Sequence, residues 1–543
     1  MKKLLSLVLL LCLAASSALA YEVSAPGVYP ITDEKVQLHI WCPQIATLED
    51  FETSYENVWF EEYSNVDVLW ETANSSEASQ KFSLSMANPD RPDIYLNSVS
   101  TDEVMLYAED GVIIPLEDLI DEHTVYIKKM LDENPDIREQ ITAPDGHIYQ
   151  LFQSIYMAQE STDKMWVYKP WLDAYTEATG NGTPTTTEEF RDMLIYFRDN
   201  DMNGNGDPND EIPLTGNYQY WREGADPMTY LMNAFTLCPT RVVSYFLADE
   251  EGNVSCVAIT DEYREGLKYI NSLYEEGLLA EETYVQDLFQ FRTLTSVPKT
   301  AVTVGAAAAP YPYRLPTYNA DPAYVTFTDY VALAPLKGPE GVQGAASSFY
   351  DVMQMRTFIT SSCEDPVVAI KWLDYFYSEE GRSWSNFYGQ EGVHWAWVDE
   401  PSFGGGDKSV KLLVEYGSTQ NVYWPQNWGP NTIRTRADYD AKAASDTATD
   451  NQLLAILAQD VYDPYVVHTN FPQVVWCTDQ DLIDERIELS DLVTNCILEH
   501  TTQFIVGTED IHDDAAWASF LAELENLDLE RLVELHETYY FGE

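Results

Sequence analysis

Along the first hundred residues the apolar positions switch between two periods. Val36, Leu38 and Ile40 alternate with polar residues, the period-two pattern of a strand with one buried face, and lead into Trp41 and Cys42. The pattern predicts a helix from about Leu48 to Trp59, a strand at Val66 to Trp70, a helix over Ser75 to Met86 and a strand at Pro92 to Leu96. Strands alternating with helices build an α/β unit with a largely parallel sheet, whose ligand-facing loops lie at the carboxyl ends of the strands. Trp41 and Asn97 are expected at such ends.

A second unit opens near Met165. Thr185 to Glu189 satisfies the capping-box pattern, and Phe190, Met193, Leu194 and Phe197 follow at i, i+3, i+4 and i+7, which predicts one amphipathic helix. Further on, the pattern predicts a helix over Tyr263 to Glu276 and strands at Thr300 to Val304 and Val331 to Leu333. Asp365 is a good N-cap with Pro366 at the first helical position, and Gly381 is expected to end that helix. The last 65 residues read as two or three amphipathic helices.

The first twenty residues belong to a different class of segment. Lys2 and Lys3 precede an apolar run from Leu4 to Ala14, and Ala18-Leu19-Ala20 offers small residues for cleavage, so a secretory signal peptide cut after Ala20 is expected. The product is then exported, to the periplasm or beyond the cell. Cys12 follows Leu11, where lipid attachment wants a small residue, so a soluble form is favoured. The six remaining cysteines are too few for a disulfide scaffold. One bridge at most is expected, with Cys238 and Cys256 the nearest candidates, and Cys496 reads as a small buried hydrophobe among Leu489, Leu492, Val493 and Ile497.

Charge narrows the partners. The 543 residues carry 90 Asp or Glu against 30 Lys or Arg, a formal charge of −60. Such a surface repels nucleic acid and anionic lipid. With 45% hydrophobic and 13% aromatic residues the chain still has ample material for folded cores.

One segment carries metal chemistry. Asp201, Asn203 and Asn205 alternate side-chain oxygens, Gly204 and Gly206 permit a tight turn, and Asp207, Asp210 and Glu211 complete an oxygen-rich loop. Hard oxygen donors in that number suit a structural Ca2+. Counted from Asp201, position 12 is Ile212 rather than an acid, and Pro213 blocks an exiting helix, so the loop departs from the twelve-residue EF-hand. An Asx-turn loop that needs no ion is the competing reading.

These features occur in a recognisable order. Tyr29-Pro30-Ile31-Thr32, Ala143 to Tyr149, Met165-Trp166-Val167-Tyr168 with Trp171-Leu172, the Asn203 to Leu214 loop, Lys371-Trp372-Leu373-Asp374 with Ser378 to Gly381, and Glu391 to Trp395 together resemble the family 1 extracellular solute-binding proteins of ABC importers. The likeness is to the large oligosaccharide-binding members that include alginate-binding proteins. It implies a type II periplasmic-binding-protein fold, two discontinuous α/β lobes joined by hinge crossings that close on a ligand. The expected lobes are 21–155 plus 335–395 and 156–334 plus 396–543, with crossings near Gln153 to Tyr156, Ala334-Pro335 and Trp395 to Trp397. It also implies delivery of the ligand to permease subunits by a monomeric binder.

Fourteen tryptophans and 36 tyrosines, many at strand ends and in loops, suit stacking on pyranose faces. The expected contacts in the first half are Trp41, Gln44, Asn97, Ser98, Tyr156, Tyr220 and Trp221. In the second half they are Tyr311, Tyr313, Tyr350, Trp395, Trp397, Trp424 and Trp428, while Trp372 and Trp517 lie in helical apolar stripes and read as core. The scarcity of basic residues favours a neutral oligosaccharide, although Arg222, Arg314 and Arg356 keep an acidic sugar open. A secreted glycoside hydrolase is the alternative, because it needs only two carboxylates about 5–10 Å apart. HExxH, GxSxG and P-loop patterns are absent, and with the resemblance this favours a non-catalytic binder.

Overall fold

A computed structural model describes residues 21–543 apart from 45–48, 75, 97–100, 157–163, 218–224, 240–242, 312–313, 317–318, 320, 348–350, 415–420, 423–432, 449–450 and 543. The chain forms two compact units. The first comprises residues up to Ser154 with Met353–Ala396 and Lys411–Arg434, and the second comprises Ile155–Val352, Trp397–Val410 and Thr435–Glu543. The second passage between units follows Val352, later than the expected Ala334-Pro335. The segment after Pro335 stays bonded to the second unit, where Thr187 N donates to Lys337 O and Ala346 N donates to Asn233 Oδ1. Passages after Val410 and Arg434 were not foreseen.

The sheet that carries the first unit has six strands, in the order Ile433–Arg434, Leu151–Tyr156, Asp351–Ile359, Ile94–Leu96, Val36–Gln44 and Val66–Asn74. Val36–Gln44 pairs in parallel with both neighbours, in register Val36 to Val66 and Ile40 to Ile94. Helix Tyr55–Ser64 starts later than the expected Leu48, because the Ser54 hydroxyl accepts the Asn57 N–H and fixes the first turn there. The core is aromatic: Tyr95 stacks on Phe358 at 5.1 Å, and Phe60 on Tyr375 at 4.5 Å.

The second unit is built on a four-stranded sheet in the order Tyr330–Leu333, Lys164–Tyr168, Val304–Ala309, Ile212–Thr215. Its third strand lies beyond the expected Thr300 to Val304, which forms a 3-10 turn at Lys299–Ala301 and then the strand's first residue. The run Gly305 to Ala309 has little strand propensity, but all of it is buried, and tertiary packing decides its state. Helix Thr187–Asp199 has the capping box of Thr186 and Glu189, and Phe190, Met193, Leu194 and Phe197 are all fully buried. Helix Pro366–Asp374 begins at Asp365 as the sequence indicates, but Gly381 does not end it. Ser378 caps a new helix, Glu379–Asn386, and accepts from the Gly381 N–H inside its first turn. Three helices, Gln480–Val506, Asp514–Asn526 and Leu529–Phe541, close the second unit. Cys238 and Cys256, the nearest candidates for the at most one expected bridge, are buried free thiols.

Candidate functional site

Aromatic residues from four separate stretches of the second unit meet at one place. Tyr156 ends the strand Leu151–Tyr156, Tyr311 follows Val304–Ala309, Phe403 lies in the loop after Trp397, and Tyr439 sits in the short helix Arg436–Asp440. All four pack on Leu453, Ala455 and Ile456 of the helix Asn451–Tyr462. Tyr439 is buried and forms the floor, whereas Tyr156, Tyr311 and Phe403 are partly exposed. Tyr156 meets Tyr439 edge to face with 6.1 Å between ring centroids. The local fold is fixed by a capping box in which Asp438 accepts from the N–H and hydroxyl of Thr435, at 2.8 and 2.9 Å.

Cations lie against the rings. The Arg314 guanidinium lies 5.2 Å from the Tyr311 ring centre and donates to its hydroxyl at 2.9 Å. Lys442 Nζ lies 5.3 Å from the Tyr439 ring centre, and Arg436 lies 5.9 Å from that of Phe403. Arg436 also hydrogen-bonds the Tyr156 hydroxyl. Burial pushes the Tyr156 phenol above its ordinary range, with Arg436 opposing, so the ring remains a neutral hydroxyl-bearing face. Such a platform offers stacking surface and hydroxyls.

The other expected contacts are placed differently. Trp41 is only 1% exposed and packs against Phe82 and Tyr95 at 5.6 and 5.8 Å. Its strand continues to Gln44 and is paired on both sides, so Trp41 lies inside the sheet, not at a strand end. Gln44 is partly exposed and accepts from the Thr72 hydroxyl at 3.3 Å. Trp395 is also core: it packs on Phe387 at 4.9 Å, and its Nε1 donates to Gly389 O at 2.8 Å. Trp397 is 48% exposed. Asn97, Ser98, Tyr220, Trp221, Tyr313, Tyr350, Trp424 and Trp428 lie outside the described residues. Phe403, Tyr439 and Arg436 were missed, although the Thr435 to Asp438 capping box was a readable signal of an ordered turn.

The acidic loop folds around Asp201. Its carboxylate accepts from the N–H groups of Gly204, Asn205 and Gly206 at 2.8, 3.1 and 2.9 Å. Gly204 and Gly206 take φ of 73° and 93°, which a side chain would strain. Asn203 and Asn205 accept from the N–H groups of Asn205 and Asp207, and Asn205 donates its amide to Asp210 at 2.7 Å. Asp207 instead accepts from Asn209, at 3.1 and 3.0 Å. Glu211 accepts from Met202 N through Oε1, while its Oε2 is buried without a hydrogen-bond partner. Burial raises the Glu211 pKa, and the charge of Asp210 adds to it. An orphaned carboxylate oxygen beside a second acid, on a turn lined by amide oxygens, fits a hard cation.

Comparison with known proteins places the fold. A relative from Streptococcus pneumoniae, the fructooligosaccharide ABC transporter substrate-binding protein FusA, is 25% identical over 98% of this chain and 95% of its own. Structures of FusA with kestose, and of a FusA EF-hand mutant with fructo-nystose, superpose with a TM-score of 0.66. They are 24% and 23% identical and cover 93% of this chain and 98% of theirs. An HMO-binding, ABC-transporter-associated solute-binding protein from Bifidobacterium longum infantis superposes with a TM-score of 0.73. It is 19% identical and covers 94% of this chain and 99% of its own. The alginate-binding protein AlgQ2, in a structure without calcium ion, gives a TM-score of 0.58 at 20% identity, with coverage of 95% and 99%. The architecture is therefore that of the periplasmic solute-binding proteins. Residues 46–383, more than half of the chain, match the family of bacterial extracellular solute-binding proteins, and the protein belongs to that family.

Proposed function

We propose that this protein binds a neutral oligosaccharide on the aromatic platform of its second unit and presents it, outside the cytoplasmic membrane, to the permease of an ABC importer. The observation that carries this reading is the convergence of Tyr156, Tyr311, Phe403 and Tyr439 on one face. Such rings stack on the apolar faces of sugar rings, and phenolic hydroxyls bond the sugar hydroxyls. The fructooligosaccharide-binding relative, alike over nearly the whole chain, supports the ligand class. The protein acts as a binder and leaves its ligand uncut, in keeping with a family of solute-binding proteins.

The test is thermal denaturation with kestose and nystose, followed by mass spectrometry of the recovered sugar. A raised midpoint with intact sugar is expected. Shortened products would establish the hydrolase alternative, and no shift with any neutral glycan would refute the sugar reading.

The same reading includes a structural Ca2+ in the acidic loop, held by Asp201, Asn203, Asn205, Asp210 and Glu211. The orphaned Glu211 Oε2 supports it, as do the EF-hand named for FusA and the calcium named for AlgQ2. The ion would supply positive charge to a turn that otherwise holds several acids together. Asp207 turns toward Asn209 and is the weakest member of the expected set.

A further inference from the structure

Cys496, His500 and Glu523 form the one group of three His, Cys, Asp or Glu residues, among those described, with ligand atoms all within 4.8 Å of one another. Two of the three are set by helical spacing. Cys496 and His500 lie four residues apart on the helix Gln480–Val506 and therefore share a face. Glu523 reaches them from the next helix, Asp514–Asn526. The His500 ring packs against Phe504 and Phe520, with centroids 6.0 and 5.1 Å away.

The two nitrogens of that ring have different neighbours. Nδ1 lies 2.8 Å from Glu509 Oε2, in the connection between the helices, and Nε2 lies 3.1 Å from Glu523 Oε2. A carboxylate on one ring nitrogen is the arrangement that fixes the tautomer of a metal-binding histidine and turns its other nitrogen to the ion. Tetrahedral zinc holds N and O ligands at about 2.0–2.2 Å, which puts them roughly 3.3 Å apart. The Nε2 to Oε2 separation already has that size. An imidazolium bridging two carboxylates would explain Glu509 and Glu523, but gives no reason for the buried Cys496 thiol to face the same point.

We propose that Cys496 Sγ, His500 Nε2 and a Glu523 oxygen bind a thiophilic divalent cation of the zinc class, with Glu509 as the positioning residue for the ring. A sulfur, nitrogen and oxygen donor set favours zinc over calcium or magnesium. On binding, the Cys496 thiol releases its proton, and the His500 ring gives up the proton on Nε2 where it carries one. Three protein ligands leave a fourth position for water. The ion would tie the last three turns or so of one helix to the next, a staple in a part of the chain distinct from the acidic loop.

The full chain, stripped with a chelator and kept reduced, is titrated with Co2+ as a spectroscopic stand-in. One equivalent should develop thiolate-to-cobalt absorption that Zn2+ bleaches. The absorption should vanish in Cys496→Ser and persist in Asp201→Ala, which leaves the candidate site intact. Glu523→Gln, an exposed change that spares the core, should weaken Co2+ binding at least tenfold. No thiolate absorption, absorption unchanged by Cys496→Ser, or an affinity unchanged by Glu523→Gln would each overturn the assignment and leave an ordinary imidazolium between two acids.

Discussion

Arg436 donates from two guanidinium nitrogens to both oxygens of Asp460, at 2.6 and 3.1 Å, and from a third to Asp440 at 3.0 Å. This cation beside the aromatic platform is thus held by two acids of its own chain, which push its pKa up. A uronate would have to displace a bidentate pair to use it, whereas a neutral sugar need not. Affinity for kestose or nystose should therefore change less than twofold between low and high salt in calorimetric titrations. Alginate-derived oligomers should give no heat of binding. Steep salt dependence with an acidic sugar would reverse the ligand class.

On the proposed reading, the platform rings divide between packing and sugar recognition. Tyr311 is partly exposed, and Tyr311→Ala should weaken sugar binding by about 1–2 kcal/mol, roughly a five- to thirtyfold rise in Kd, with little change in melting temperature. Tyr439 is 5% exposed, so Tyr439→Ala should act first on stability, by about 3 kcal/mol or more. Calorimetric titration of both variants beside urea denaturation separates the two effects.

Asp374 gives the first unit a tie across the chain. Its carboxylate accepts from the N–H groups of Val125, Tyr126 and Ile127 at 2.9, 2.9 and 2.8 Å, at the start of the helix Tyr126–Glu133. Val125 offers no capping side chain, and the Thr124 hydroxyl accepts only the next N–H, that of Lys128, at 3.2 Å. Asp374→Ala leaves three donors without this acceptor and should cost about 3 kcal/mol in urea denaturation. Asp374→Asn, which can accept only through one oxygen, should cost less.

If the acidic loop holds an ion only in the folded state, a chelator must lower the melting temperature by mass action. At 100 times Kd the bound ion contributes about 2.7 kcal/mol. EGTA should therefore lower the wild-type midpoint and leave that of Asp210→Ala unchanged, measured by calorimetry after dialysis. Equal midpoints for wild type with and without EGTA would show a loop that is stable through its Asx turns alone.

Local elements were legible because period-two strands and capped helices obey local rules: the Thr186 to Glu189 box and the Asp365 cap form as the pattern reads. The misplaced strand at Val304–Ala309 shows where such rules stop, since a run of alanines carries no signal until neighbouring elements cover it. The site was harder for the same reason. Trp41 and Tyr156 look alike in sequence, a large aromatic near a strand end, yet one is enclosed by Phe82 and Tyr95 and the other opens beside Arg436. Tyr439 joins Tyr156 and Tyr311 only through contacts between segments far apart in the chain, and no periodicity encodes those.

His536 makes the second unit sensitive to acid. It is 2% exposed among Phe246, Phe471 and Tyr540, and neither ring nitrogen has a hydrogen-bond partner. Burial, with the Arg486 charge adding to it, lowers its pKa to about 3. Above pH 6.5 the ring is neutral in both the folded and the unfolded chain and contributes no pH dependence. As pH falls from 6.5 toward 3, the unfolded chain takes up a proton that the folded chain refuses, so stability drops by up to about 1.4 kcal/mol per pH unit. His536→Phe keeps an apolar ring in the site and removes the titration. Compared with wild type in urea at pH 7 and pH 5, the variant should gain about 1–2 kcal/mol of relative stability at the lower pH. An identical loss of stability in both proteins would mean that the ring finds a way to be protonated in the folded state.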